Sequence, residues 1–117
     1  MKHNYKNLEI WKRSCVLVTN VYKQTRNFPL SEEFGLKNQL RRAVVSVPSN
    51  IAEGCGRNSI KELRQFLSVS VGSICEVETQ LILSYELSFI KKAEKDALIE
   101  EIGEIRSKII RFSKIIS

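Results

Sequence analysis

Leu98-Ile99-Glu100-Glu101-Ile102-Gly103-Glu104-Ile105-Arg106-Ser107-Lys108-Ile109-Ile110-Arg111-Phe112 decides the fold class. Leu98, Ile102, Ile105, Ile109, Phe112 and Ile116 recur at alternating intervals of four and three residues. That spacing lines one side of an α-helix with apolar side chains. Asp96, Glu100, Glu101 and Glu104 come early, and Arg106, Lys108, Arg111 and Lys114 late. This order suits the helix dipole, positive at the N-terminus and negative at the C-terminus. Such a helix is stable only when its stripe is covered, so the preceding chain must supply partners.

Working back from there, Ser59 and Glu62 read as a capping box opening a helix to about residue 87. Its stripe is Leu63, Leu67, Ser70, Ile74, Val77, Leu81 and Ser84. Ser68, Ser70, Gly72 and Ser73 leave little bulk, which lets a neighbouring helix come close. A further helix is predicted to open at Ser31 as N-cap, with Glu32 and Glu33 in its first turn. It carries Leu36, Leu40, Ala43, Val47 and Ile51, is broadened by Val44 and Val45, and ends at Gly54-Cys55-Gly56. Pro48 lacks the N–H that would reach the Val44 carbonyl, so a kink is expected there. The first helix spans about residues 7–26, with Leu8, Trp11, Cys15, Val18 and Tyr22 as one stripe and Ile10, Ser14, Leu17 and Val21 beside it. Pro29 stops it. Four amphipathic helices on short connections predict an all-α, antiparallel up-down-up-down four-helix bundle, residues 1–117 forming one domain.

Bulk properties exclude several classes. At 117 residues the chain has the size of one domain. No run reaches the roughly 18 apolar residues of a membrane span, and residues 1–6 lack the apolar stretch of a secretion signal. Cys15, Cys55 and Cys75 are odd in number and share no CxxC spacing. They fit small packing residues in a reducing cytoplasm, the expected location. The net charge of +6 is uneven: residues 1–28 hold six Lys/Arg against Glu9 alone. A basic first helix on a nearly neutral remainder points to an anionic partner, although basic surfaces also serve solubility alone.

The search for catalytic chemistry comes out empty. A carboxylate di-metal site in a bundle needs Glu-x-x-His pairs, and His3 is the one histidine, expected to be a solvated terminal residue. No serine has a histidine inside the bundle to activate it. Cys55, between two glycines, reads as a packing residue rather than a reactive thiol. No phosphate-binding glycine loop is present, Gly54-Cys55-Gly56-Arg57 being too short. The expectation is a non-enzymatic protein without cofactor or metal.

Arg42, Ser46, Asn50, Glu53 and Arg57 instead form a polar row beside the apolar stripe, with Ser73, Glu76 and Gln80 as a shorter row on the next helix and Glu78 nearby. One reading is a solvated face. The other is a subunit interface or buried network in which Arg42 or Arg41 neutralises Glu53 or Glu76.

Phe28-Pro29, Glu33-Phe34-Gly35-Leu36 and the run from Gln39 through Arg41-Arg42-Ala43-Val44-Val45-Ser46-Val47-Pro48-Ser49-Asn50-Ile51-Ala52-Glu53-Gly54 closely resemble the "four helix bundle protein" family. Its first recognised members are encoded by intervening sequences in bacterial 23S ribosomal RNA genes. Leu8-Glu9-Ile10-Trp11-Lys12, Phe66-Leu67, Gly72-Ser73 and Glu76-Val77-Glu78 extend the match, whereas the last helix matches as a heptad pattern alone. Ser70 stands where family members often carry Ala, and Val44 and Val45 replace smaller or less branched residues. The resemblance implies a homopentamer, with no catalytic residue and no cofactor. It also implies kinship to the accessory variability determinant of diversity-generating retroelements, a basic pentamer that works with a reverse transcriptase.

Two functions follow as expectations. In the first, five copies carry about +30 and hold RNA or DNA by its backbone. Lys12, Arg13, Lys23, Arg26, Arg41, Arg42 and Arg57 are the candidate contacts, and Arg42, Ser46, Asn50, Glu53, Ser73 and Glu76 the candidate assembly network. In the alternative, the oligomer is a scaffold docking a larger partner such as a polymerase, without touching nucleic acid.

Overall fold

The computed structural model describes residues 3–117; Lys2, counted above in the basic N-terminal segment, lies outside them. Four helices carry the described residues, with no strand among them: α1 (Glu9–Thr25), α2 (Leu36–Cys55), α3 (Ile60–Glu86) and α4 (Lys92–Ile115). Each touches its neighbours in the chain and α1 also touches α4, while the pairs α1–α3 and α2–α4 make no backbone approach. The extents of 45 × 24 × 19 Å match a bundle one helix long and two helices wide, given a helix diameter of about 10–12 Å. One apolar cluster fills it, with Leu17, Leu40, Ile51, Leu67, Ile74, Leu81, Ile102, Ile105 and Ile109 shut from water.

The α4 heptad is the core face as predicted, with Phe112 half-buried. On α1 the ranking of the two stripes is reversed. Ile10, Ser14, Leu17, Val21 and Thr25 are buried, whereas Leu8, Trp11, Cys15 and Val18 are half-buried and Tyr22 is exposed. The buried stripe is the second one, extended by Thr25, and it accommodates two hydroxyls. Ser14 Oγ donates to the Ile10 carbonyl at 2.6 Å and Thr25 Oγ1 to the Val21 carbonyl at 2.9 Å, so both polar groups are satisfied within the helix.

Helix boundaries differ from expectation on the N-terminal side. Residues 5–7 form a 3-10 turn and α1 starts at Glu9. Ser31 is not a cap: it lies in the 3-10 turn Leu30–Glu32, and α2 begins at Leu36. Glu32 takes over the capping role, its Oε1 accepting from the Leu36 N–H at 2.9 Å. Ser59 does cap α3, accepting from the Glu62 N–H at 3.1 Å. Its hydroxyl, rather than its N–H, engages the Glu62 carboxylate, also at 3.1 Å. Pro48 is buried inside α2, which continues through it to Cys55.

Contact between α2 and α3 is the most extensive in the molecule. Gly54 makes the approach possible: a Cβ there would lie 2.9 Å from both Leu63 Cδ1 and Phe66 Cβ. Ser70, buried, donates to the Val47 carbonyl at 2.9 Å. Ser68 and Gly72 take no part, being exposed, and a Cβ added at Gly72 would meet open space. By length and composition α3 is apolar enough to cross a membrane, and 39% of its most apolar stretch is buried. Its buried positions are the ones packed on α2 and α4, so a substantial apolar remainder (Val69, Ile82, Leu83) faces outward.

Candidate functional site

The polar row on α2 divides when its side chains are placed. Ser46 and Ser73 share a hydrogen bond of 2.8 Å across α2 and α3, and Asn50 Nδ2 donates to both the carbonyl and the hydroxyl of Ser46 at 2.8 Å. Those three residues form a small, partly buried network. Glu53 stays outside it. Its carboxylate is exposed and pairs at 2.9 Å with Arg57, one turn along the same helix. Arg42 and Glu76 are also exposed and make no ion pair among the described residues, although both line one cleft with Phe34, Asn38, Gln39, Ala43 and Ser46. Within the chain, then, neither Arg41 nor Arg42 neutralises Glu53 or Glu76. Hydrogen bonds within the chain join Ser46, Asn50 and Ser73, while Arg42, Glu53, Arg57 and Glu76 lie exposed.

The seven basic candidates also fall into two groups. Arg13 is committed: Nε and Nη2 grip the two Glu101 oxygens at 3.1 and 2.8 Å, and Glu104 lies at 3.6 Å. The Glu101 hydrogen bond holds its guanidinium more firmly protonated than that of a free arginine. Arg57 is paired to Glu53 and lies over the Phe66 ring at 4.8 Å. Arg41 stacks on Tyr22 at 4.2 Å and donates to Thr25 Oγ1 at 2.9 Å and to the Tyr22 carbonyl at 3.2 Å. Lys12, Lys23, Arg26 and Arg42 are exposed and without an ion pair among the described residues. Lys12 and Lys23 are eleven residues apart, three helical turns, and so lie on one line of α1. Arg26 follows at the end of that helix.

Sequence reasoning missed the loop between α1 and α2. Leu30 and Phe34 are 89% and 92% exposed. Phe34 stands in the Glu33-Phe34-Gly35-Leu36 motif, but spacing alone gives no sign that either residue is exposed, because the segment reads as the start of a helix. Nor does pairing leave a trace in one sequence: the Arg13–Glu101 and Arg106–Glu78 bridges join residues far apart in the chain. His3 departs from expectation, since its ring packs edge-on against Phe112 at 5.4 Å instead of standing in solvent. Cys55 is buried, and burial pushes its thiol pKa up, as it does for half-buried Cys15. Among the described residues no group of three or more His, Cys, Asp or Glu is placed to hold a metal ion.

Compared with known families, residues 6–111 match the 23S rRNA-intervening sequence protein family. The chain belongs to that family. No curated protein matches the chain. For this member of the 23S rRNA-intervening sequence protein family the match runs from the first 3-10 turn to Arg111, well into α4, further than the motif residues alone reach. The motif run also acquires physical roles. Val44, Val47 and Ile51 are core, Gly54 permits the α2–α3 approach, and Ser46 with Asn50 satisfies that interface. Val45, unlike Val44, is 39% exposed.

Proposed function

We propose that this member of the 23S rRNA-intervening sequence protein family is a non-enzymatic, self-associating accessory protein that binds nucleic acid through its backbone phosphates. The observation that carries the reading is the state of α1. Glu9 and Arg13 turn to α4 and are neutralised there by Lys108 and by Glu101 with Glu104. The outward charges left on that helix, Lys12 and Lys23, are positive, and Arg26 extends them. Unpaired cations on one face attract a polyanion and release its counterions on binding, with little dependence on base sequence.

The protomer in this reading is an antiparallel up-down-up-down bundle, which the order of side-chain pairing supports. Residue 9 meets 108 and 13 meets 101; 46 meets 73 and 39 meets 80; 64 meets 113 and 78 meets 106. Assembly, pentameric by the family resemblance, is supported by apolar surface that one chain leaves bare. Val69 and Leu83 lie two heptads apart on α3 with Glu76 between them, beside the cleft that holds Phe34 and Arg42. These exposed apolar side chains flank a polar cleft, and a second copy seated on that side would cover them. A cytoplasmic location fits the free thiols.

Filter binding of RNA and DNA across a salt series tests the first half. Affinity should fall steeply with salt, and binding that is absent at low salt or insensitive to salt overturns it. Light scattering tests the second half, with about five times the 13.4 kDa protomer mass expected. Leu30 and Phe34, bare at one end, favour a second reading in which the oligomer docks a protein such as a polymerase. A defined partner that stays bound after nuclease treatment, with no RNA affinity in the purified protein, selects that reading.

A further inference from the structure

Between the last turns of α1 and the first turns of α2 lies an open cleft of about 520 Å³, lined by Tyr22, Lys37, Asn38, Arg41 and Arg42 among others. Its charge is one-sided. Glu33 is the carboxylate on its wall, and Lys37 already neutralises it at 3.0 Å. Arg41 and Arg42 have no carboxylate partner among the described residues. Two arginines on one cleft whose single carboxylate is already paired leave it with an excess of positive charge, which a bound anion would offset.

The arrangement differs from the arginines that serve the fold. Arg13 and Arg106 each close on a carboxylate from another helix. Arg64 is spent on the fold as well, donating to the carbonyls of Ser113 and Ile116 at the end of α4. Arg41 is held in place by neutral groups alone: the Thr25 hydroxyl on Nε, the Tyr22 carbonyl on Nη2, and the Tyr22 ring at 4.2 Å. Its Nη1 has no hydrogen-bond partner among the described residues. The guanidinium is therefore immobilised before any ligand arrives, with part of its donor fork unspent, so little side-chain entropy is lost on binding. Arg42 and the Asn38 amide supply further donors on the same wall.

We infer that this cleft seats one phosphate group of a nucleic-acid strand, with Arg41 as a fixed donor and Arg42 as a mobile one. Two guanidinium groups match the several oxygens of a tetrahedral oxyanion better than the two of a carboxylate. Lys23 and Arg26 lie in the turn of α1 that Arg41 touches through Tyr22 and Thr25, so neighbouring phosphates along a strand meet further cations. The source of the phosphate rests on the nucleic-acid reading above; the seat itself does not.

The test follows the Nε–H resonances of Arg41 and Arg42 while inorganic phosphate, and separately a short single-stranded RNA, is added. Both resonances should shift with either probe. Arg42→Gln should weaken RNA binding about tenfold and lower the slope of log affinity against log salt by about 1, one phosphate contact being lost. Arg41→Lys keeps the charge and loses the fork, so affinity should fall several-fold with the slope unchanged. Circular dichroism melting checks that both variants fold. RNA binding that is indifferent to both substitutions overturns the seat and leaves the nucleic-acid function standing. RNA that fails to bind while inorganic phosphate still shifts both resonances does the reverse. Silence of both resonances towards both probes overturns the inference outright.

Discussion

Single residues here carry consequences that their neighbours in sequence do not announce. Ser88 is the one described non-glycine residue with positive φ, at 65°. The N–H of Phe89 bonds the Ser84 carbonyl at 2.8 Å and that of Ser88 the Tyr85 carbonyl at 2.9 Å. This pair of bonds closes α3, and glycine is the usual occupant of the left-handed position. Ser88 is exposed, so Ser88→Gly should raise stability by about 0.5–1 kcal/mol in urea denaturation. The three cysteines differ by environment in the same way. Cys75 is exposed, Cys15 half-buried and Cys55 buried, and burial raises the pKa of the last two. A raised pKa lowers the thiolate fraction at neutral pH, so iodoacetamide should label Cys75 first and Cys55 last, as mass spectrometry of a time course will show.

At the scale of elements, close approach and ion pairing set the geometry of helix pairs. Gly54→Ala places a methyl 2.9 Å from the Phe66 Cβ, an atom fixed to the backbone of α3. The two helices must move apart, at a cost of about 1–3 kcal/mol. Gly103 sits within α4, and a Cβ added there would meet nothing within 4 Å outside its own helix backbone, so Gly103→Ala should instead gain about 0.5–1 kcal/mol from helix propensity. Denaturation midpoints moving in opposite directions for these two identical substitutions would confirm the contrast. Arg13→Ala removes the two-point grip on Glu101 that ties α1 to α4. It should cost about 1 kcal/mol, a modest value because the pair is partly solvated. Its RNA affinity in filter binding should stay within about twofold of wild type, because the charge it removes is already neutralised within the fold.

At the scale of the whole molecule, the four helices close one core and still leave apolar groups bare along α3 and in the loop before α2. If that surface joins copies of the chain, Leu83→Asp combined with Phe34→Ser should release protomers of 13.4 kDa with unchanged helical content. Light scattering and circular dichroism read the two quantities independently. Both side chains are exposed in the protomer, Leu83 at 46% and Phe34 at 92%, so its own stability should change by less than about 0.5 kcal/mol. A mass that does not fall removes this face from the assembly.

What the sequence determined by itself was the class of fold: heptad spacing in α4 and α3, the Ser59–Glu62 capping box, and the motif run through α2 each depend on local periodicity or local chemistry. It also placed Ser46 and Asn50 in a polar row on one helix and Ser73 in a shorter row on the next, the packing then joining the two rows. What only the tertiary structure decided was which equally periodic stripe of α1 faces inward, which arginines are spent, and which remain available. Apolar spacing is a property of one helix, whereas burial and neutralisation depend on what a second helix presents. Arg13 and Lys12 are adjacent, and one meets Glu101 while the other meets water. A helix turns about 100° per residue, and only the packed bundle fixes the direction from which that turn is counted.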